Sequence, residues 1–251
     1  MKITDFSKVA KQYDQNPFRL DELDVDQDLM NLISTNAELN VLDLSCGTGL
    51  YLEKQMSLLQ TESIHWHGLD KSIDMLNQAQ NRVSGVDLRL GSAEELPYNH
   101  ESFDYIVNNY AFHHYCDKDK ALDEIERVLK RFGIFKMHNI SIHDMKEWWV
   151  YHYFPEAFNE DLKRFWTQNH LFNMLEDKGF KVEINTHYQM LKIKVKDYLF
   201  YAENRDISVL TLIHDEHYKK GLDRMRADVI NNPEYEIVVN FAVMDCKARK
   251  K

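Results

Sequence analysis

Apolar positions in the first 140 residues gather into short runs, separated by stretches in which they recur at helical spacing. The runs predict strands near residues 40–44, 64–69, 87–90, 103–108 and 134–140. Helices are predicted between them near 49–60, 72–83 and 119–131. The last reads most clearly, because Ala121, Leu122, Ile125, Val128 and Leu129 share one face between Asp117 and Gly133. Further on, Thr167–Lys178 predicts a helix stopped at Gly179, and Phe180–Gln189 and Glu236–Asp245 alternate as closing strands. Strand and helix in alternation predict an α/β fold, a mostly parallel sheet covered on both faces.

Two segments exceed ordinary connections. Residues 144–166 carry Trp148, Trp149, Tyr151, Tyr153, Phe154, Phe158 and Trp166. Residues 195–235 carry Tyr218, Leu222, Met225 and Val229 at steps of four, three and four, one apolar helix face. No internal repeat or low-complexity tract interrupts the chain, and the whole of 1–251 reads as a single domain.

Composition narrows the setting. With 44% hydrophobic residues the chain can build a full core. No apolar run reaches the roughly 20 residues that span a bilayer, and the N-terminus lacks a signal-peptide core, so no membrane role is expected. Cys46, Cys116 and Cys246 stand far apart without C-x-x-C spacing, which points to a reducing, cytoplasmic setting. A formal charge of −10 argues against nucleic acid as a partner, since phosphate binding needs clustered Lys and Arg. Twelve histidines include no H-x-x-x-H and no cysteine pair at ligand spacing, so no metal is expected.

Candidate chemistry centres on Val41-Leu42-Asp43-Leu44-Ser45-Cys46-Gly47-Thr48-Gly49. Glycines at 47 and 49 allow positive φ and a close approach of ligand to backbone. A dinucleotide fingerprint would need a third glycine where Leu52 stands. Asp43, a carboxylate inside a strand, needs a cationic or hydrogen-bonding partner. The stretch resembles motif I of the class I S-adenosylmethionine (SAM)-dependent methyltransferases, with Ser45 at the place of the usual first glycine. Asp70, 21 residues past Gly49, opens Asp70-Lys71-Ser72-Ile73-Asp74-Met75-Leu76, similar to the family's D-x-S-x-x-M-L. Gly91-Ser92-Ala93-Glu94-Glu95-Leu96-Pro97-Tyr98 resembles its G-D-A-E-x-L-P-F loop, with Ser92 where aspartate is usual. Phe103–Asn109 with its turn Ala111-Phe112-His113-His114, and then Arg127–Gly133, complete five blocks in the family's order over roughly residues 8–140.

The resemblance implies a Rossmann-like seven-stranded sheet, SAM as cofactor with S-adenosylhomocysteine as product, and a small-molecule methyl acceptor. It implies a cofactor site of Asp43, Ser45, Gly47, Gly49, Asp70, Lys71, Met75, Ser92, Ala93, Glu94, Asn108 and Asn109. Asp43 is expected near the methionyl amino group, Asp70 at the ribose, Ser92 and Ala93 at the adenine, and Asn109 in preference to Asn108 beside the methionyl part. Gly47 and Gly49 are expected to form a backbone cradle. Cap segments at about 1–20, 144–166 and 195–235 are expected to cover the cofactor end of the sheet. His113 is a general-base candidate beside His114, and His138 is a second. Tyr13, in Val9-Ala10-Lys11-Gln12-Tyr13-Asp14, resembles the family's A-x-x-Y-D segment and is expected to orient substrate or close over the cofactor. For His113 and Tyr13 the residues alone also allow a packing role.

Overall fold

A computed structural model describes residues 24–251. Tyr13 and the expected cap segment 1–20 lie outside the described residues. Seven strands form one sheet in the order β3-β2-β1-β4-β5-β7-β6. They are β1 (Leu39–Leu44), β2 (Ile64–Asp70), β3 (Asp87–Leu90), β4 (Phe103–Asn109), β5 (Leu129–Ile140), β6 (Phe180–Lys194) and β7 (Glu236–Lys250). The pairs β1–β2, β2–β3, β1–β4 and β4–β5 are parallel. Strand order reverses between β1 and β4, the switch point beyond whose carboxyl ends open α/β sheets bind ligands.

The central strands are buried on both faces, which explains their near-continuous apolar runs. On one face Leu39, Val41, Ile64, Trp66, Tyr105, Val107 and Ile134 pack with residues of three helices. Those helices are α1 (Gln27–Ile33), α2 (Leu50–Leu59) and α3 (Ile73–Arg82), contributing Leu29, Tyr51, Leu52 and Leu76. The alternate positions Leu42, Leu44, Ile106 and Phe135 are also fully buried, so the other face is covered too. α4 (Lys118–Val128) is capped by Asp117, whose carboxylate accepts from Lys120 N at 3.0 Å. It ends three residues earlier than its pattern predicts, because Leu129 already pairs with Phe103 as the first residue of β5.

The chain divides into two compact units. One comprises the described chain up to His138 together with Asn169–Ile184 and Asp245–Lys251, and so contains β1 to β4 and most of β5. The other comprises Asn139–Gln168 and Asn185–Met244. Its aromatic stretch folds as α5 (Trp149–Tyr153) and α6 (Pro155–Arg164), and its long connection as α8 (Val195–Glu203) and α9 (Asp215–Asn231). α7 (Gln168–Asp177) falls where a helix was expected. Trp149, Tyr153, Phe154, Tyr218, Leu222 and Met225 share the second unit's core, so the helix face read from the spacing in 195–235 is buried there. Gly221 on α9 is the close-approach point, since a Cβ there would lie 2.4 Å from the Phe154 ring. Among the described residues no helix is long and apolar enough to cross a membrane.

Candidate functional site

A cleft of about 630 Å³, counted with its open mouth, lies at the carboxyl ends of β1, β2, β3 and β4. Its walls are the turns the switch point leaves exposed: Ser45 and Gly47 after β1, Asp70 and Lys71 at the tip of β2, and Gly91–Glu94 after β3. Asn109, Tyr110 and Ala111 at the end of β4 close it, with Met75, His114 and Tyr115.

The turn after β1 is held in a strained form. Ser45 sits at φ +66°, Gly47 at +55° and Gly49 at +81°. A Cβ on Gly47 would meet nothing within 4 Å, so the glycine keeps its side of the turn clear for a ligand. A Cβ on Gly49 would lie 3.3 Å from that of Ala79, so this glycine serves the packing of α3. Both N–H groups are engaged: Gly47 N donates to Asp70 Oδ2 at 2.9 Å and Gly49 N to Cys46 O at 2.9 Å. In this structure, then, neither glycine N–H of the expected cradle is free. The glycines supply shape, and the turn's own hydrogen bonds use their N–H groups.

Asp70 is the clasp of this turn. One oxygen accepts from Gly47 N and the other from Ser72 N at 2.9 Å, while Ser72 itself caps α3. Each carboxylate oxygen keeps a lone pair for another donor. Burial raises the Asp70 carboxyl above its ordinary range, against the lowering effect of the backbone donors from Ser72 and Gly47. In the β3 loop the Ser92 hydroxyl donates to the Glu94 carboxylate, which also accepts from Cys116 N at 2.9 Å. With its proton committed, the Ser92 oxygen presents lone pairs.

Behind the cleft lies a set of buried polar groups. Asp43, on β1, is 2% exposed, and Oδ2 has no hydrogen-bond partner among the described residues. Burial first, and the Asp70 charge second, push its carboxyl up to about 8. Asn108 is fully buried and donates through Nδ2 to Leu44 O and to the Tyr115 hydroxyl, each at 2.8 Å. Tyr115 also meets Ser45 Oγ at 2.9 Å, so β1 and β4 are stitched together at the cleft floor. Asn108 Oδ1 and Asn109 Nδ2 are buried without a partner among the described residues.

Nine of the expected cofactor residues thus line the cleft: Ser45, Gly47, Asp70, Lys71, Met75, Ser92, Ala93, Glu94 and Asn109. Asp43, Gly49 and Asn108 do not, and sit one layer behind the wall. Nor does His113, which the short 3₁₀ turn Phe112–His114 buries while placing His114 on the wall. Tyr110 and Tyr115 lay between or beyond the recognised blocks. The reach of Tyr115 to Ser45, 70 residues away, leaves no trace in local sequence.

A family model described as a methyltransferase domain matches residues 35–191, more than half of the chain. The chain belongs to the class I SAM-dependent methyltransferase family. It is 35% identical over 162 residues to the uncharacterised methyltransferase YcgJ of Bacillus subtilis, covering 61% of this chain and 56% of that protein. It is 29% identical over 206 residues to a demethylmenaquinone methyltransferase of Listeria welshimeri, covering 70% and 85%. Among solved structures it resembles a candidate methyltransferase from an antibiotic biosynthesis pathway of Anabaena variabilis. That likeness has a TM-score of 0.68 at 24% identity, covers 87% and 94% of the two chains, and establishes the fold. The chain spans about half the length of the first curated relatives it matches.

Proposed function

We propose that this chain transfers a methyl group from SAM to a small-molecule acceptor. One observation carries the reading: unpartnered polar atoms on Asp43, Asn108 and Asn109 are buried at the carboxyl ends of two adjacent parallel strands. Leaving such atoms without partners costs about 1–3 kcal/mol each, more for a charge, so the arrangement makes sense as one completed by a ligand. The cofactor's chemistry fits it. An ammonium in the cleft, reaching Asp43 through a bridging water or a small shift of the wall, supplies the cation that Asp43 lacks, a ribose diol can donate to the remaining lone pairs of Asp70, and an adenine amino group can donate to Ser92. The open space over Gly47 leaves room for the chain between them.

When bound, the cofactor supplies a methyl group on a sulfonium, an activated donor that needs alignment more than assistance. The residues of this chain would bind, orient and keep water out. A small acceptor is favoured over nucleic acid by the formal charge of −10, and the demethylmenaquinone relative acts, by its name, on a small molecule. Incubation of the purified protein with methyl-labelled SAM and a cell extract tests the reading. Label is expected in the small-molecule fraction. Label confined to precipitable material would make the substrate a macromolecule. Binding of S-adenosylhomocysteine without any transfer would leave a cofactor-binding protein that lacks the activity.

A further inference from the structure

Tyr110 leaves β4 with φ +52°, an uncommon conformation for a residue with a Cβ, and lines the cleft. It is tied twice to the neighbouring strand. Its N–H donates to His138 O at 2.8 Å, and its hydroxyl lies 2.8 Å from His138 Nε2. The other ring nitrogen, Nδ1, lies 2.6 Å from Asp245 Oδ1 on β7. Because β4, β5 and β7 are consecutive in the sheet, the three side chains form a row running away from the cleft.

The direction of the row follows from donor and acceptor chemistry. A carboxylate only accepts, so the single N–H of a neutral imidazole belongs on Nδ1 and Nε2 is left as an acceptor. The Tyr110 hydroxyl must then donate to Nε2, and its oxygen is an acceptor by chemistry. A proton taken up by that oxygen can be matched by the loss of the original one to Nε2. The resulting imidazolium faces Asp245 in a charge-assisted bond.

We infer that Tyr110, His138 and Asp245 form a proton relay for the acceptor, an inference that rests on the methyltransferase reading and names its substrate class. Tyr110 Oη takes the proton of an acceptor hydroxyl while its own proton moves to His138 Nε2. The electron pair freed on the acceptor oxygen bonds the incoming methyl carbon, and the electrons of the broken carbon–sulfur bond stay on sulfur. Tyr110 is the catalytic residue; His138 and Asp245 position and charge it. A thioether already carries a nucleophilic lone pair and an amine regains one on losing its proton to water, whereas a hydroxyl attacks well only as its proton is taken. A phenol or enol is the acceptor that such a relay serves, and a phenol's pKa, near that of tyrosine itself, suits the exchange.

Nitrogen NMR of the histidine side chains tests the relay without turnover, with His138 identified by comparison with His138→Gln. At pH 7 the neutral ring should carry its proton on Nδ1, and Asp245→Asn should move most of that population to Nε2. A wild-type His138 protonated on Nε2 overturns the relay. Calorimetry with S-adenosylhomocysteine runs in parallel. Failure of wild type to bind would sink the cofactor site while the tautomer still decides the relay. His138→Gln should hold that affinity within a few-fold, and both His138→Gln and Tyr110→Phe should lower methyl transfer to simple phenols by about 10²-fold or more. Transfer that is undiminished in both variants, or that reaches tertiary amines and thioethers but no phenol, contradicts the proposal.

Discussion

Asp43 is the residue on which the cofactor site is most exposed to test. Its carboxyl, pushed up to about 8 by burial and then by Asp70, is largely protonated at pH 7 in the ligand-free protein. A cation placed beside it favours the charged form. Binding of S-adenosylhomocysteine at pH 7 should therefore expel close to one proton, read by titration calorimetry in buffers of different ionisation enthalpy. No net proton release between pH 6 and 8 would detach Asp43 from the ammonium. Stability carries a second signature. The unfolded carboxyl titrates near 3.8, so between about pH 4 and 8 the folded chain holds a proton that the unfolded chain has lost. The stability this group contributes is complete below pH 4 and is lost as the pH rises to 8. Asp43→Asn abolishes that loss. Denaturant titrations should find the variant indistinguishable from wild type at pH 4 and more stable at pH 8, on the order of a few kcal/mol, with weaker cofactor binding. Stability given up for a function is the mark of a site residue.

Among the elements, α1 shows what local pattern cannot announce. Its N-cap, Asp26, is 6% exposed and accepts from the hydroxyls of Tyr51 and Tyr105 at 2.9 and 2.7 Å and from Lys136 Nζ at 2.8 Å. Its carboxylate also caps Asp28 N and Leu29 N, and its own N–H donates to Gln55. One carboxylate thus joins α1, α2, β4 and β5. Its partners stand 25, 79 and 110 residues away, distances at which no periodicity signals contact. Burial alone would raise this carboxyl, but the Lys136 ammonium and the hydrogen bonds from Lys136, Tyr105 and Tyr51 hold it below its ordinary range. Its contribution is therefore present above about pH 4 and is lost as the pH falls through the depressed value. Asp26→Ala, which strands two tyrosine hydroxyls and leaves Lys136 only Asp28 at 3.5 Å, should cost about 2–4 kcal/mol at neutral pH. Urea titration is the measurement, and the gap from wild type should narrow in acid. A loss under about 1 kcal/mol at pH 7, an ordinary surface effect, would mean that the hub contributes little. The strands, by contrast, were legible to within a residue or two where both faces are buried, as in Val41–Leu44. β5 was not, because Leu129 continues the helical spacing of α4 while already pairing with Phe103 as strand.

Over the whole molecule, what could be read in advance was whatever the backbone needs locally. Glycines at 47 and 49, an acid at the end of β1 and another at the tip of β2 mark a binding turn before any contact is known. What escaped notice depends on strands meeting: Tyr110 acquires meaning only beside His138, and Tyr115 only beside Ser45 and Asn108. The same reasoning separates two cofactor classes. A dinucleotide site needs glycine at position 52 for close packing of helix on strand, and Leu52 there is fully buried in the core with Trp66 and Val107. The side chain is part of the fold and holds the helix off the strand, where a dinucleotide motif brings the two together. S-adenosylhomocysteine at 100 times its dissociation constant should add about 2.7 kcal/mol by mass action. At roughly 2–4 °C per kcal/mol for a chain of this size, the melting midpoint should rise by about 5–10 °C. NAD at the same concentration should leave the midpoint where it was. A rise with NAD and none with the homocysteine adduct would reverse the cofactor class and, with it, the reading of Asp43 as the partner of an ammonium.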